Sequence, residues 1–313
     1  LNAVTVTGLT TIPSVSVIAS SADTTVTMGA AATVGTADEM TVNLNGASTT
    51  SGSTITASGI EKFNVNATGT ASGSATTGTV TLVSSVLKDV AITGTAASAL
   101  TVNLVGATTA AAGSVTGNDA ANTVILTADA ADTISVALGA GNDVLSIGSV
   151  SATHTLAGGD GTDTLLSTAA ITATTGANIS GFEVVSAGAV SIALPTATNT
   201  IGTVGFTATG GTVKGLATGG TVSLAQAAGT YANTVSNTTG WTGTTDNLTV
   251  AVGGATSTGV ISNTLTATGI ETATVTNTQI STNADARTVG VTSANLTKMT
   301  VVSSGLAPIT VSG

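Results

Sequence analysis

The chain has no cysteine, very few aromatic residues and little charge, and each shortage excludes a kind of protein. Its 313 residues include 1 Trp, 1 Tyr and 3 Phe, and only 6% are charged, against about 25% in an ordinary globular domain. A thick, rounded core is normally filled by Leu and aromatic side chains, so this composition does not favour one. Without Cys there can be no disulfide framework, and an extracellular chain of this kind would need another staple, such as a metal ion.

The few charges are mostly negative. Asp and Glu total 15 and Lys and Arg total 5, which gives a net charge of −10. Nucleic acid binding requires the opposite sign, so we expect no nucleic acid partner. The uncharged stretches are interrupted throughout by Thr, Ser, Asn and Gly, and we therefore expect no direct membrane insertion either.

The residues that dominate the chain favour short strands. Thr and Val are stiff at χ1 and fit the pleated surface of a sheet, and period-two alternation is plain at residues 40–44, 100–104 and 248–252. Only residues 224–228 could form one helical turn. The sequence predicts an all-β fold of stacked short strands, a β-solenoid or β-roll. The alternation begins at residues 4–7, and we expect the chain to be a segment of a longer protein.

Two distant segments share one pattern. Residues 38–61 and 246–271 both open with Asp, continue with Thr-Val and close with Gly-Ile-Glu, and they start 208 residues apart. Residues 163–183 form a more divergent copy, closing in Gly-Phe-Glu. Such self-similarity indicates a repeat architecture. We divide the chain into two related β-rich repeat regions and a middle region that carries the calcium β-roll and the strands after it: 1–115, 184–313 and 116–183.

The middle region contains a finer repeat. Turns that end in a polar residue and lead into a short strand recur every 9 to 11 residues, at Asn122, Asp132, Asp143, His154 and Asp163. Residues 158–166 read Gly-Gly-Asp-Gly-Thr-Asp-Thr-Leu-Leu and match every fixed position of the calcium-binding nonapeptide G-G-x-G-x-D-x-U-x. Residues 138–146 match it except at the first position.

This nonapeptide suits calcium for physical reasons. Calcium takes about six to eight oxygen ligands, glycines with positive φ let several carbonyls face one point, and Asp supplies negative charge. Successive turns of a roll alternate between two edges, so Asn122, Asp143 and Asp163 are predicted on one edge and Asp132 and His154 on the other. We predict the strongest calcium site between the Asp143 and Asp163 turns. The other edge lacks glycines and has His where calcium prefers oxygen.

The predicted ligand positions form two groups. The main group comprises the two glycine-bearing turns: Gly139, Gly141, Asn142, Asp143, Gly158, Gly159, Asp160, Gly161 and Asp163. The weaker group shares only the turn position: Asn122, Asp132, Asp38 and Asp246. For Asp38 and Asp246 a structural turn role is the favoured interpretation. The recurring Glu61, Glu183 and Glu271 are interpreted as acceptors of a repeated structural hydrogen bond, with an edge calcium ligand as the alternative.

The Asn and Asp turns, the complete nonapeptide, the strand-rich spacer that closes in Gly181-Phe182-Glu183 and the Thr/Ala/Gly/Val-rich composition together carry a resemblance. The chain resembles the calcium-dependent surface-layer proteins of Gram-negative bacteria of the Caulobacter type, within the repeats-in-toxin class. The resemblance implies a subunit of a two-dimensional crystalline coat, exported by type I secretion to the bacterial cell surface.

It also implies particular partners and ligands. Calcium would keep the subunits folded and joined through Asp143, Asp163 and their glycines. The chain would self-associate into a surface lattice and contact other domains of the same protein. The alternative is a calcium-stiffened segment of a secreted repeats-in-toxin adhesin.

Patterns typical of enzymes are weak. Asp160 and Asp163 could be the paired carboxylates of a β-helix glycosidase or lyase, but the nonapeptide already accounts for both. His154 is the single His, and no nucleophile elbow, zinc-ligand cluster or phosphate loop accompanies it. Trp241 and Tyr231 could stack on a sugar, although packing or a contact between subunits is the favoured interpretation. We expect that the protein is not an enzyme.

Overall fold

The structure is a computed structural model, and short strands joined by turns make up most of it. It describes residues 4–18, 24–29, 33, 35–45, 53–68, 80–108, 111–127, 132–195, 198–224, 229–236, 241–252, 261–277, 287–303 and 309–312. These residues form 28 strands and no helix, which confirms the all-β prediction. No helix among them is therefore long and apolar enough to cross a membrane. Most of the predicted helical turn at 224–228 lies outside the described residues.

The chain divides into two compact units, residues 1–164 and 165–313. The sequence repeats predicted three regions, and their boundaries differ from that between the two compact units. This three-region division stays a prediction. Unit one contains these strands: β1 (Val4–Leu9), β2 (Val15–Ile18), β3 (Thr24–Met28), β4 (Glu39–Asn45), β5 (Ser53–Ala57), β6 (Lys62–Ala67), β7 (Val80–Val83), β8 (Asp89–Gly94), β9 (Ser98–Asn103), β10 (Gly113–Thr116), β11 (Asn122–Thr127), β12 (Ile134–Ala137), β13 (Val144–Ile147) and β14 (Thr155–Ala157).

The next strand, β15 (Thr164–Ser167), begins at the boundary between the units. Unit two continues with these strands: β16 (Ile179–Ser180), β17 (Val184–Ala187), β18 (Ser191–Ala193), β19 (Ile201–Phe206), β20 (Thr212–Lys214), β21 (Leu216–Leu224), β22 (Gly229–Ser236), β23 (Asn247–Val252), β24 (Ile261–Thr266), β25 (Thr272–Asn277), β26 (Arg287–Thr292), β27 (Lys298–Ser303) and β28 (Ile309–Ser312).

Each unit is a parallel β-solenoid with two sheets. In unit one the odd-numbered strands β1 to β13 form one sheet in chain order, and the even-numbered strands β2 to β14 form the other. Unit two repeats the arrangement with β17 to β27 and β18 to β28. We call these the odd and even sheets, and one strand of each sheet with its turns is a coil. The predicted β-solenoid is confirmed.

Alternation of side chains explains why these residues stack in this way. In β6, Phe63 and Val65 point inward and are buried, whereas Lys62 and Asn64 point outward and are partly exposed. Each inward side chain lies on its counterpart in the preceding coil, because neighbouring strands pair in parallel and in register. A core only two facing sheets thick is filled by small aliphatic residues, and this accounts for the scarcity of aromatics.

Candidate metal centre

Three successive turns lie one above another at the edge of the odd sheet in unit one. They are residues 117–122, 138–143 and 158–163, leading into β11, β13 and β15. The register of β11 with β13 sets Asn122 level with Asp143. One coil later the Thr164 N–H donates to the Asp143 carbonyl at 2.8 Å, which sets Asp163 level with Asp143. The prediction that these three polar residues share one edge is confirmed.

Side chains connect these coils in a ladder. The Asn122 N–H donates to Asp143 Oδ1 at 2.6 Å, and the Asp143 N–H donates to Asp163 Oδ1 at 2.8 Å. In the coil before them, Ser98 Oγ donates to Asn122 Oδ1 at 2.8 Å. We call Ser98, Asn122, Asp143 and Asp163 the polar ladder. In three successive pairs, a side-chain oxygen accepts a hydrogen bond from the coil that precedes it.

The carboxylates of the ladder are withdrawn from water. Asp143 and Asp163 are both 0% exposed, and Oδ2 of Asp143 is buried without a hydrogen-bond partner. Burial raises the pKa of Asp143 to about 6, the Asn122 N–H opposes this rise, and the Asp163 carboxylate adds to it. A buried carboxylate is costly unless a counter-charge or a proton accompanies it. The chemistry of this edge therefore favours a bound cation above pH 6 and a proton below it.

Glycines allow the two nonapeptide turns to approach closely. Gly139, Gly141, Gly159 and Gly161 have φ of 101°, 112°, 119° and 140°. A Cβ on Gly159 would lie 1.8 Å from the Gly139 carbonyl oxygen, and one on Gly161 would lie 1.7 Å from that of Gly141. Any other residue at Gly159 or Gly161 would therefore be both strained and sterically blocked.

The same two turns are joined through the main chain. The Asp160 N–H donates to the Gly139 carbonyl at 3.0 Å, and the Gly141 N–H donates to the Asp160 carbonyl at 2.9 Å. The exposed Asn142 contributes its side chain, whose Oδ1 accepts from the Thr162 N–H at 2.9 Å. Asp160 is itself exposed, so its contacts with the preceding turn, residues 138–143, are made by its backbone.

All nine main-group positions thus lie in two stacked turns, with Gly158 buried directly after β14. Within the described ranges, Asp, Glu, His and Cys nowhere form a group of three or more that could hold a metal. A cation at this edge would therefore bind the carboxylates of Asp143 and Asp163 and complete its shell with backbone carbonyls or water. Calcium accepts such a mixed oxygen shell. The Asp143 Oδ2, which has no hydrogen-bond partner, and the two stacked glycine turns are compatible with a calcium ion.

The opposite edge differs from the prediction in its register. Asp132 and His154 precede β12 and β14, which are neighbours in the even sheet, as expected. However, Val136 lies opposite Leu156, so Ile134 is the residue level with His154. The predicted equivalence of Asp132 and His154 as the polar residues that end successive turns was therefore wrong by two residues. A slip of two keeps the same residues facing inward, and the alternation cannot reveal it.

His154 is part of a buried local turn. Its side chain is 0% exposed, and Nδ1 accepts from the Ser151 N–H at 3.4 Å. The half-buried Asp132 meets this turn through its main chain, because Thr153 Oγ1 donates to the Asp132 carbonyl at 2.8 Å. These contacts are structural, and calcium binding at Asp132 stays a prediction.

Asn118 has a role that the sequence interpretation missed. It is buried, and its Oδ1 accepts from the Ala120 N–H at 3.1 Å. Its Nδ2 donates to three carbonyls of the preceding coil, those of Thr93, Gly94 and Ala96. The signal was present, since Asn118 stands four residues before Asn122 as Gly139 stands four before Asp143. At the position where the two later turns have glycine, the first turn has Asn118, and its side-chain amide bonds to the preceding coil.

Asp38 and Asp246 occupy a different kind of turn. The Asp38 N–H donates to Glu61 Oε2 at 2.9 Å, and the Glu61 N–H donates to the Asp38 carbonyl at 3.0 Å. Asp246 and Glu271 make the same two bonds at 2.8 and 3.0 Å. We call each reciprocal pair an Asp–Glu clasp. The structural hydrogen bond predicted for Glu61 and Glu271 is confirmed.

The aspartate side chains of the clasps differ from each other. Asp246 accepts from the Gly243 N–H at 2.8 Å and from Thr218 Oγ1 at 3.1 Å, so both of its carboxylate oxygens have partners. Asp38 keeps one buried oxygen, Oδ2, without a hydrogen-bond partner. A local structural role is therefore seen for Asp246, and calcium binding at either residue stays a prediction.

Trp241 is 4% exposed, so it packs inside unit two and cannot offer a ring for sugar stacking. Its backbone lies against a turn at Gly269, where a Cβ would come within 2.2 Å of the Trp241 carbonyl oxygen. The packing interpretation is confirmed for Trp241.

No protein-family model matches the chain, and no curated protein matches it either. The coarse part of the resemblance is supported by the fold, because a parallel β-solenoid without a helix in its described parts is consistent with a repeats-in-toxin β-roll. These comparisons give no support to the surface-layer identity. That part of the resemblance depends on the sequence of the nonapeptide turns.

Proposed function

We propose that this chain is a structural segment of a calcium-dependent bacterial surface-layer subunit, secreted to the cell surface and without enzymatic activity. One observation carries the proposal: two stacked glycine turns bury the Asp143 carboxylate and leave its Oδ2 without a hydrogen-bond partner. A protein that only needed to cap the Asn122 N–H could do so with a neutral side chain. A buried charge at a glycine-lined edge is better explained by a cation that it holds.

Calcium would act here as a folding staple. The carboxylates of Asp143 and Asp163 and nearby main-chain carbonyls would hold it, and it would supply the positive charge that this buried edge lacks. For an extracellular module with a Kd of about 10⁻⁴–10⁻³ M, millimolar calcium stabilises the fold by on the order of 1 kcal/mol per site. That stabilisation takes the place of the disulfides that the chain cannot form.

The regular faces of the solenoid support a lattice role. In unit two the outward residues of the odd sheet include a column in which each threonine lies directly opposite the next. The column comprises Thr203, Thr221, Thr249, Thr274 and Thr300. Repetitive and weakly charged faces favour contacts that recur between identical copies, as assembly into a two-dimensional layer requires.

A calcium titration of the purified chain tests the site. Isothermal calorimetry should show that Asp143→Asn/Asp163→Asn loses the tightest site of the parent, because both carboxylates become neutral amides of the same size. The matched control is Asp38→Asn/Asp246→Asn, which changes the same number of charges in the clasps and should keep the tightest site of the parent. Unchanged affinity in the first variant would overturn the calcium assignment.

Assembly is tested separately by electron microscopy with millimolar calcium and after chelation. We expect sheets with calcium and their dissolution by the chelator, with hydrogen exchange accelerating first in residues 117–166. A chain that stays monomeric in calcium would instead favour the adhesin alternative.

A further inference from the structure

The side chain of Asn122, the second member of the polar ladder, is buried where main-chain carbonyls converge. It is 1% exposed, and Nδ2 donates to the carbonyls of Ala120 at 2.7 Å, Asn118 at 3.2 Å and Leu138 at 3.3 Å. The first two carbonyls belong to its own turn, and the third belongs to the turn of the next coil. An amide nitrogen carries only two hydrogens, so the three oxygens share them. Oxygens that converge on one buried point are also what a calcium ion requires.

The next turn repeats the placement of these carbonyls. Asn118 and Gly139 stand four residues before Asn122 and Asp143, which lie level with each other. A Cβ added in the following coil would come to 2.5 Å from the Asn118 carbonyl oxygen and to 1.8 Å from that of Gly139. The carbonyls two residues later also approach an added Cβ of the following coil in both turns. By position, the three carbonyls that receive the Asn122 amide correspond one coil later to those of Gly139, Gly141 and Gly158.

Asn122 and Asp143 differ in the atom that remains. In both residues Oδ1 accepts a hydrogen bond from the preceding coil, from Ser98 Oγ in the first case and from the Asn122 N–H in the second. The other atom is a donor in Asn122, whereas in Asp143 it is Oδ2, which has no hydrogen-bond partner. An amide supplies hydrogens to carbonyl oxygens without any charge, but a carboxylate oxygen can only accept. A buried carboxylate among carbonyls therefore needs a positive charge from outside the chain.

We infer that the side-chain amide of Asn122 does in the first turn what a bound cation does in the next, so that calcium binding along this edge stops at Asn122. The inference rests on the proposed calcium site and names the residue that limits it. Asn122 is then not the weaker calcium ligand that its turn position suggested. The first turn is a latent cation site filled by its own side chain, and a carboxylate at position 122 would open it.

Asn122→Asp tests the exchange of amide for cation. In calcium-free buffer at pH 7 its melting temperature should fall by about 5 °C or more, because three carbonyls lose their donor and a buried charge is added. Millimolar calcium should raise the melting temperature of this variant by about 2–4 °C more than that of the parent. Equilibrium dialysis should count one more calcium ion per chain in the variant than in the parent.

The matched control is Asn199→Asp. Asn199 is also buried, and its Nδ2 donates to the carbonyls of Ile179 and Pro195 at 2.8 and 3.0 Å, but it lies outside the stacked nonapeptide turns. The control therefore loses the same kind of donor and buries the same charge without the glycine-lined edge. Calcium should raise its melting temperature no more than it raises that of the parent.

The reverse substitution, Asp143→Asn, keeps the inference testable if Asn122→Asp does not fold. It gives the second turn an amide, so without calcium at pH 7 its melting temperature should exceed that of the parent by about 4 °C or more. An equal calcium response in Asn122→Asp and the parent, the same added response in Asn199→Asp, or an Asp143→Asn variant no more stable than the calcium-free parent would each overturn the inference. A stabilised Asp143→Asn beside a parent that binds no calcium would leave the role of the amide standing, while the proposed function would fail.

Discussion

The stacked glycine turns and the Asp–Glu clasps both join neighbouring coils through a carboxylate, but they differ in burial. In both, a carboxylate accepts an N–H from the preceding coil, at 2.8 Å for Asp163 and at 2.9 Å for Glu61. Asp143 and Asp163 are fully buried, whereas Glu61 and Glu271 are only half-buried. The glycines two residues before these glutamates, Gly59 and Gly269, lie against Thr33 and Trp241 and not against another glycine. The hydrogen bond between coils therefore does not require burial. Burial at the glycine turns needs a separate reason, and the cation that we propose would supply one.

The largest effect should come from filling the glycine cradle. Gly161→Ala would bring a Cβ to 1.7 Å from the Gly141 carbonyl oxygen at a φ of 140°, and we expect unit one to lose on the order of 3 kcal/mol or more. Gly210→Ala is the matched control, because φ is 83° there and nothing lies within 4 Å of the added Cβ, and it should cost about 1 kcal/mol. Denaturant unfolding measures both. Equal losses would show that the turns are not as closely stacked as the structure has them.

The next effect depends on pH. Burial raises the pKa of Asp143 to about 6, whereas an unfolded chain has an ordinary Asp pKa of about 4. Between about pH 4 and about pH 6 the folded state therefore binds more protons than the unfolded state. In calcium-free buffer the free energy of unfolding should fall as pH rises through this range, by on the order of 2–3 kcal/mol. Millimolar calcium should recover on the order of 1 kcal/mol of this loss above about pH 6, because it binds the deprotonated carboxylate.

Thermal unfolding from pH 4 to pH 7, with and without calcium, measures this slope. The control is Asp143→Asn, which cannot titrate and should remove most of the slope and the calcium response. A parent whose stability rises over this range without calcium would contradict the buried, cation-free carboxylate.

The smallest effect is expected at the clasps. Glu61→Ala and Glu271→Ala remove one acceptor from a half-buried N–H, which should cost about 1 kcal/mol each. Glu61→Gln and Glu271→Gln keep an acceptor oxygen and should cost less than half as much. Calcium should stabilise all four variants as it does the parent. Glutamine variants as unstable as the alanine ones would mean that the charge matters, and the clasps would then resemble the glycine turns.

Much of the fold could be predicted from alternation alone. The segments at 40–44, 100–104 and 248–252 all lie in or overlap strands, and the turn spacing predicted that Asn122 and Asp143 share an edge. Inward and outward residues differ in polarity, so the sequence records which face each residue takes. The alternation does not predict the register at Asp132. A shift of two residues leaves the same side chains facing inward, so turn geometry decides between such registers.

The polar ladder was only partly predictable. Asp143 and Asp163 stand out because they follow glycines, but Ser98 of the ladder and the nearby Asn118 do not resemble ligands, and each bonds to a neighbouring coil. Their partners lie 24 and 22 residues away, and coils of differing length hide such pairs from a search for fixed spacing.

The two Asp–Glu clasps lie on strands of opposite parity. Asp38 precedes β4 and Asp246 precedes β23, so the duplicated block advances by an odd number of the strands that the structure describes. The same clasp has therefore formed on an even-numbered strand in one unit and on an odd-numbered strand in the other. The smallest transferable module of this architecture is thus a single strand with its turn, half a coil.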